Sequence, residues 1–439
     1  MSISPQRRQE IIDALRRGTV PERSLDTFAV GLDRLAPAFD EGLETVRRGG
    51  AVFKAIRGEY GSGKTFCTRW LEERAKAQGF ATSEVQISEG ETPLHHLETV
   101  YRRLCERLST SDVPRGALRS VIDGWFFALE QDVLAEGTVD ERDTAALLER
   151  TAALMERRLE AVTRSAPSFT AALRGYRQAV ADGNAAIAEG LLAWMAGQPN
   201  VAAEVKRFAR VKGDIDHMGA LSFLQGLLVI LRDAGHAGLL LALDEVETLQ
   251  RVRSDVRDRA LNALRQLVDE VDSGRFPGLY LVVTGTPAFF DGPQGIQRLA
   301  PLAQRLHVDW SVDPRFDNPR AVQVRLPGFS QELLEAVGRR VRDLYAEHSR
   351  TADRIRARVD DAYVADLGRA VAGDLGGRAG VAPRVFLKKL VADVLDRVDQ
   401  FDDFDPRQHY KLTISDTELT EAERAARGAE RPDDIELKW

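Results

Sequence analysis

One short run carries most of the chemistry available to this sequence. Gly58-Glu59-Tyr60-Gly61-Ser62-Gly63-Lys64-Thr65 fits the pattern G-x-x-x-x-G-K-[ST]. Glycines lack the Cβ that would keep successive backbone N–H groups from closing around phosphate oxygens, and a following helix adds its positive N-terminal end. Lys64 can reach β- and γ-phosphates, and the Thr65 hydroxyl can ligate Mg²⁺. Such a turn also arises by chance. Here it stands between an apolar strand and a helix, the context the pattern requires. Residues Gly58 to Phe66 are therefore read as a binding site for ATP with Mg²⁺.

A second set lies far along the chain. Leu239-Leu240-Leu241-Ala242-Leu243 ends in the paired carboxylates Asp244-Glu245. Asp244 would hold Mg²⁺, directly or through water, and Glu245 would act as general base on the attacking water. The alternative is a strand followed by a solvated acidic turn. Glu247 is expected to be an exposed residue at a helix start. A base beside the metal aspartate separates hydrolysis from simple binding, so an ATPase is expected.

Both sets need a sheet to carry them. The apolar segments Ala51 to Ile56, Ala81 to Ile87, Leu239 to Leu243, Leu279 to Thr284 and Ala321 to Leu326 read as strands separated by helical stretches. That alternation implies an α/β fold, a parallel sheet covered by helices on both faces. Pro5 to Arg17 reads as an amphipathic helix with Ile11, Ile12 and Leu15 on one side, stopped by Gly18. From Leu94 to Gly213 the pattern is almost wholly helical, about a hundred residues more than a compact core needs. Helices are expected again at Gln331 to His348, Thr351 to Val371 and Val381 to Val398, then a loosely held acidic tail with a short helix near Thr417 to Ala426.

With 439 residues, two or three domains are expected. The divisions are 1–93 (first part of the core, with the phosphate loop), 94–213 (helical insertion), 214–328 (second part of the core), 329–399 (helical lid) and 400–439 (tail). A net charge of −7 gives no global case for nucleic-acid binding, although local patches could provide it. Cys67 and Cys105 are too few for a disulfide framework, and no apolar run approaches a membrane span. A cytoplasmic protein without membrane contact is the expectation.

Taken together, the phosphate loop, the strand ending in Asp-Glu, a later strand ending in polar residues and a helical lid resemble the AAA+ class, nearest to origin-recognition and initiator-loading ATPases. The resemblance makes Leu279 to Pro287 the sensor 1 strand, with Thr286 preferred as sensor and Thr284 as alternative; a residue merely finishing the strand is the competing reading. It makes Arg384, in Gly380-Val381-Ala382-Pro383-Arg384, a sensor 2 arginine touching the nucleotide phosphates. Arg305, or else Arg298, would serve a neighbouring subunit as arginine finger, which requires a homo-oligomer. An ordinary surface arginine is the alternative.

A narrower likeness adds Ala14-Leu-Arg-Arg-Gly-Thr-Val-Pro21, Leu-Asp-Glu-Val-Glu247 and the Gly-Thr-Pro287 turn. These resemble BrxD-like ATP-binding proteins of BREX-type phage-defence systems, over most of the chain except the tail. The likeness implies a defence ATPase working beside a helicase or methyltransferase on DNA, and it places Arg16 to Pro21 against the adenine. Clusters such as Lys206, Arg207, Arg210 and Lys212 could contact DNA or be solvated helix faces. The competing function is a nucleotide-dependent scaffolding switch that binds a protein partner without DNA.

Overall fold

A computed structural model describes residues 3–137, 139–140, 142–347, 349–374, 383–419 and 424. The chain divides into two compact units. One takes residues up to 38, 56–73 and the described residues from 310 on; the other takes 39–55 and 74–309.

In chain order the elements are α1 (Pro5–Arg17), α2 (Ala36–Arg47), β1 (Val52–Arg57), α3 (Lys64–Ala77) and β2 (Ala81–Gln86). Then come α4 (Leu97–Arg107), α5 (Leu118–Ala135), α6 (Thr144–Arg158), α7 (Glu160–Ser165), α8 (Pro167–Ala181), α9 (Ala185–Met195), α10 (Ala203–Phe208) and α11 (His217–Asp233). Next are β3 (Leu239–Asp244), α12 (Ser254–Asp272), β4 (Leu279–Gly285), α13 (Pro287–Asp291), α14 (Ala300–Arg305) and β5 (Gln323–Arg325). The chain continues with α15 (Gln331–Ala346), α16 (Ala352–Arg358), α17 (Asp361–Asp374), α18 (Pro383–Lys388), a π-helical turn Lys389–Leu395, α19 (Asp396–Gln400) and α20 (Pro406–His409). The sheet order is β2-β3-β4-β1-β5, with β2, β3 and β4 parallel. The expected α/β fold with a parallel sheet is present, each strand within two residues of its expected ends. No described helix is long and apolar enough to cross a membrane.

In the larger unit, β3 and β4 are buried along their whole length, the signature of strands covered on both faces. The insertion helices seat on α11, the helix that leads into β3. Phe223 of α11 meets Tyr101, Phe169 and Trp194 with ring centroids 6.1, 4.9 and 5.6 Å away. Its neighbour Gly226 leaves no room for a Cβ against the Phe169 ring. At the end of α11, Asp233 accepts from Trp125 Nε1 at 2.6 Å and pairs with Arg158. The insertion and the carboxylate strand therefore share one core.

In the other unit, α1 begins as its sequence dictates. Ser4 caps it, Pro5 opens it, and Gly18 at φ 72° ends it, with Ile11, Ile12, Ala14 and Leu15 buried. The expected helix Thr351 to Val371 is two helices, because the Asp360 carboxylate accepts the Tyr363 N–H at 2.8 Å and starts a new one. Residues 401–419 are held more firmly than expected. Arg358 donates to the carbonyls of Phe404 and Asp402, Arg407 pairs with Asp360, and Lys389 pairs with Glu418. Of the expected tail helix, Asp416–Glu418 forms a 3₁₀ turn, and 420–423 and 425–426 lie outside the described residues.

Candidate nucleotide site

The phosphate loop leaves β1 and enters α3. Gly61 and Gly63 take φ values of 78° and 90°, the left-handed region that a side chain disfavours. A Cβ on Gly58 would collide with Ser62 Oγ. Ser62 N donates to Glu59 O at 3.1 Å, and Cys67 N to Gly63 O at 2.8 Å, so the turn passes directly into helix. Lys64 is buried, its Nζ 2.8 Å from Gly58 O and 3.3 Å from Glu59 O, with the Tyr60 ring centroid 5.2 Å away. Ser62 Oγ is buried and has no hydrogen-bond partner. A left-handed glycine turn, an orphaned hydroxyl and a buried ammonium fit a polyphosphate. Thr65 is half-buried as the second residue of α3.

The same unit holds Phe66, the segment Arg16 to Pro21 and Arg384. Phe66 meets Phe28 with ring centroids 5.3 Å apart. In the segment Arg16 to Pro21, Val20 O accepts from Arg69 Nη1 at 3.2 Å, and a Cβ on Gly18 would come 3.5 Å from Arg384 Nη1. Arg384 is the second residue of α18, and its Nη2 donates to Glu418 O at 2.8 Å. The preceding Gly380, Val381 and Ala382 lie outside the described residues. The Arg16 guanidinium donates two hydrogen bonds to the Asp396 carboxylate, at 2.6 and 2.9 Å, which raises its pKa further.

The carboxylate cluster belongs to the larger unit, at the carboxyl ends of β2, β3 and β4. Asp244 is 3% exposed and accepts the hydroxyl of Thr284. Glu245 adopts φ 61°, ψ 41°, a conformation that costs a non-glycine residue about 1–2 kcal/mol. Its N–H is shared between Asp244 Oδ1 at 3.1 Å and Thr284 Oγ1 at 3.2 Å. Its carboxylate accepts from Gln86 Nε2 at 2.9 Å. Both the backbone and the head group of Glu245 are thus fixed.

Two expectations fare differently. Glu247, expected to be exposed, is 3% exposed, because the 3₁₀ turn Val246–Gln250 tucks it inward. Thr284 rather than Thr286 touches Asp244; Thr286 is buried at the start of α13 and makes no side-chain capping bond. Gln86 escaped the sequence reading altogether. Its signal is positional, since it ends β2 in register with Asp244. Both candidate finger arginines are engaged on α12: Arg305 with Asp269 and Asp272 at 2.7 and 2.9 Å, Arg298 with Asp258 at 3.0 Å.

A loop fit for polyphosphate and a braced acidic pair are what a nucleotide-binding family would conserve in geometry, and one family matches the chain. The model of the BREX system ATP-binding protein BrxC/D family covers residues 3–414. The chain belongs to that family. No curated protein and no solved structure matches it. For this BrxC/D family member, both the phosphate loop and the carboxylate cluster fall inside the matched span, as do residues 94–213 and 329–399.

Proposed function

We propose that this BrxC/D family member is an AAA+ ATPase that hydrolyses ATP in the service of a DNA-directed BREX phage-defence system. The observation that carries hydrolysis, beyond binding, is the conformation of Glu245. A glutamate is held in a left-handed backbone by two hydrogen bonds to its N–H, directly after a buried aspartate. Strain of this kind persists where the surroundings over-determine it, and active sites are where it collects. Glu245 is then the general base, oriented by Gln86 and able to take a proton from water. Thr284 positions both acids as sensor 1. Lys64 and the loop N–H groups hold the phosphates, Phe66 closes the loop side, and Arg384 reads the phosphates from the lid. Mg²⁺, held by Thr65 and Asp244, would neutralise charge on the phosphate oxygens. Arg305 is proposed to act in trans, on exchanging its α12 carboxylates for a neighbour's nucleotide. Action on DNA, beside a helicase or methyltransferase, is the reading suggested by membership in a BREX family.

The test is steady-state phosphate release by the purified protein with Mg²⁺ and ATP, alongside binding of a fluorescent ATP analogue. Glu245→Gln is expected to retain binding and to lower turnover by about 100-fold or more, and Lys64→Ala to lose binding. A Gln variant that turns over like the parent removes the base from Glu245.

A further inference from the structure

The end of α10 differs in one residue from the ends of four other helices of its unit. Helices α8, α9, α11 and α12 each end with a glycine in the left-handed region: Gly183 at φ 69°, Gly197 at 79°, Gly235 at 92° and Gly274 at 73°. Each closes the helix by the same pair of backbone bonds. Helix α10 closes identically, Arg210 N donating to Arg207 O at 3.1 Å and Val211 N to Lys206 O at 2.9 Å, yet the left-handed residue is Arg210, at φ 58°. Glycine is the residue without penalty there. An arginine in its place gains nothing for the turn, so its side chain is the part that matters.

That side chain has company. The run Lys206-Arg207-Phe208-Ala209-Arg210-Val211-Lys212 holds four cations and no acid. Lys206 is taken by Asp214 at 2.7 Å. Arg207, Arg210 and Lys212 are exposed and form no ion pair among the described residues. Between them Phe208 is 39% exposed. The opposite side of the turn is fixed: Val205, Ala209 and Val211 are buried, and Trp194 Nε1 donates to Gly213 O at 3.0 Å. A rigid turn thus presents three unpaired cations around an open aromatic face.

We infer that this turn of the helical insertion is a contact site for single-stranded nucleic acid, with Arg207, Arg210 and Lys212 on phosphates and Phe208 stacked on a base. Cations that follow a backbone beside an aromatic platform are how single strands are held without sequence preference. This site rests on the DNA-directed part of the proposed function.

Fluorescence anisotropy of the full-length protein with labelled oligodeoxythymidine, a DNA duplex and an RNA of equal length, across about 50–200 mM salt, tests it. The combined variant Arg207→Ala, Arg210→Gly, Lys212→Ala is expected to weaken single-strand binding at least about tenfold and flatten the salt dependence by about two units of slope. Phe208→Ala is expected to lose about tenfold on the single strand and little on the duplex. Arg210→Gly alone is expected to keep or raise the melting temperature, and no variant to change ATP turnover without nucleic acid. Affinity untouched by the combined variant overturns the site and leaves the DNA-directed reading standing. A parent protein that binds none of the three probes overturns both. Single-strand affinity unchanged in Phe208→Ala overturns the single-strand assignment, and a lower melting temperature in Arg210→Gly overturns the argument from the turn.

Discussion

The hydroxyl of Thr284 has two partners, the carboxylate of Asp244 and the backbone N–H of Glu245. Removing it leaves Glu245 with one anchor in a strained backbone and frees the Asp244 carboxylate to rotate. Thr286, two residues on, lies at the start of α13 with no such partners. The two threonines therefore separate cleanly. If Asp244 holds Mg²⁺ as proposed, Thr284→Val is expected to lower ATP turnover about 10- to 100-fold, the usual loss when a group that orients a metal ligand is removed. Thr286→Val is expected to stay within about threefold. Phosphate release at saturating Mg²⁺ and ATP distinguishes them, and the reverse order of damage returns the sensor role to Thr286. The sequence reading prefers Thr286 and keeps Thr284 as the alternative, with no contact to separate them. Both end the same apolar run, and the choice depends on which carbon along β4 stands beside Asp244, a matter of strand pairing. Gln86 was hidden for the same reason: its partner is Glu245, 159 residues away. The turn of the phosphate loop, by contrast, was legible because the bonds from Ser62 N to Glu59 O, from Cys67 N to Gly63 O and from Lys64 Nζ to Gly58 O all join near neighbours in sequence.

Among the elements, α11 joins the insertion to the carboxylate strand. Its ring Phe223 touches aromatics from α4, α8 and α9, and its last residue, Asp233, binds Trp125 and Arg158. Helical character from Leu94 to Gly213 could be read from composition. Attachment to α11 could not, because an aromatic on a buried helical face looks the same whichever helix covers it. The boundary at Asp360 was missed for a related reason: an aspartate in a helical pattern caps a helix only when the chain there turns its N–H groups toward it. Truncating Phe223 to Ala removes a ring met from three sides and is expected to destabilise the protein by about 3–5 kcal/mol. Phe127, 62% exposed on α5, provides the comparison, and its Ala variant is expected to fall within about 0.5 kcal/mol of the parent. Urea denaturation of the two variants checks this; equal midpoints would mean that α11 does not carry the insertion.

At the scale of the whole molecule, the chain must bury β1, because the sheet places it between β4 and β5. That strand nevertheless includes Lys54, only 6% exposed. Loss of hydration lowers its pKa to about 8, and attraction to Glu41 offsets this only in part. In the unfolded chain the same group titrates near 10.5. Between these values the unfolded state holds a proton that the folded state has released, so stability rises with pH across this window. The contribution is fully present above about 10.5 and is lost as pH falls to about 8, where the folded protein must carry a buried charge. A displacement of this size corresponds to about 3 kcal/mol. Lys54→Met has no proton to release, so its stability lacks this rise. Urea denaturation of both proteins at a series of pH values isolates the effect, since every other titrating group is common to the pair. The difference is expected to move by about 3 kcal/mol in the parent's favour from pH 8 to 10.5. A difference that stays flat across that range would place the charge of Lys54 in water.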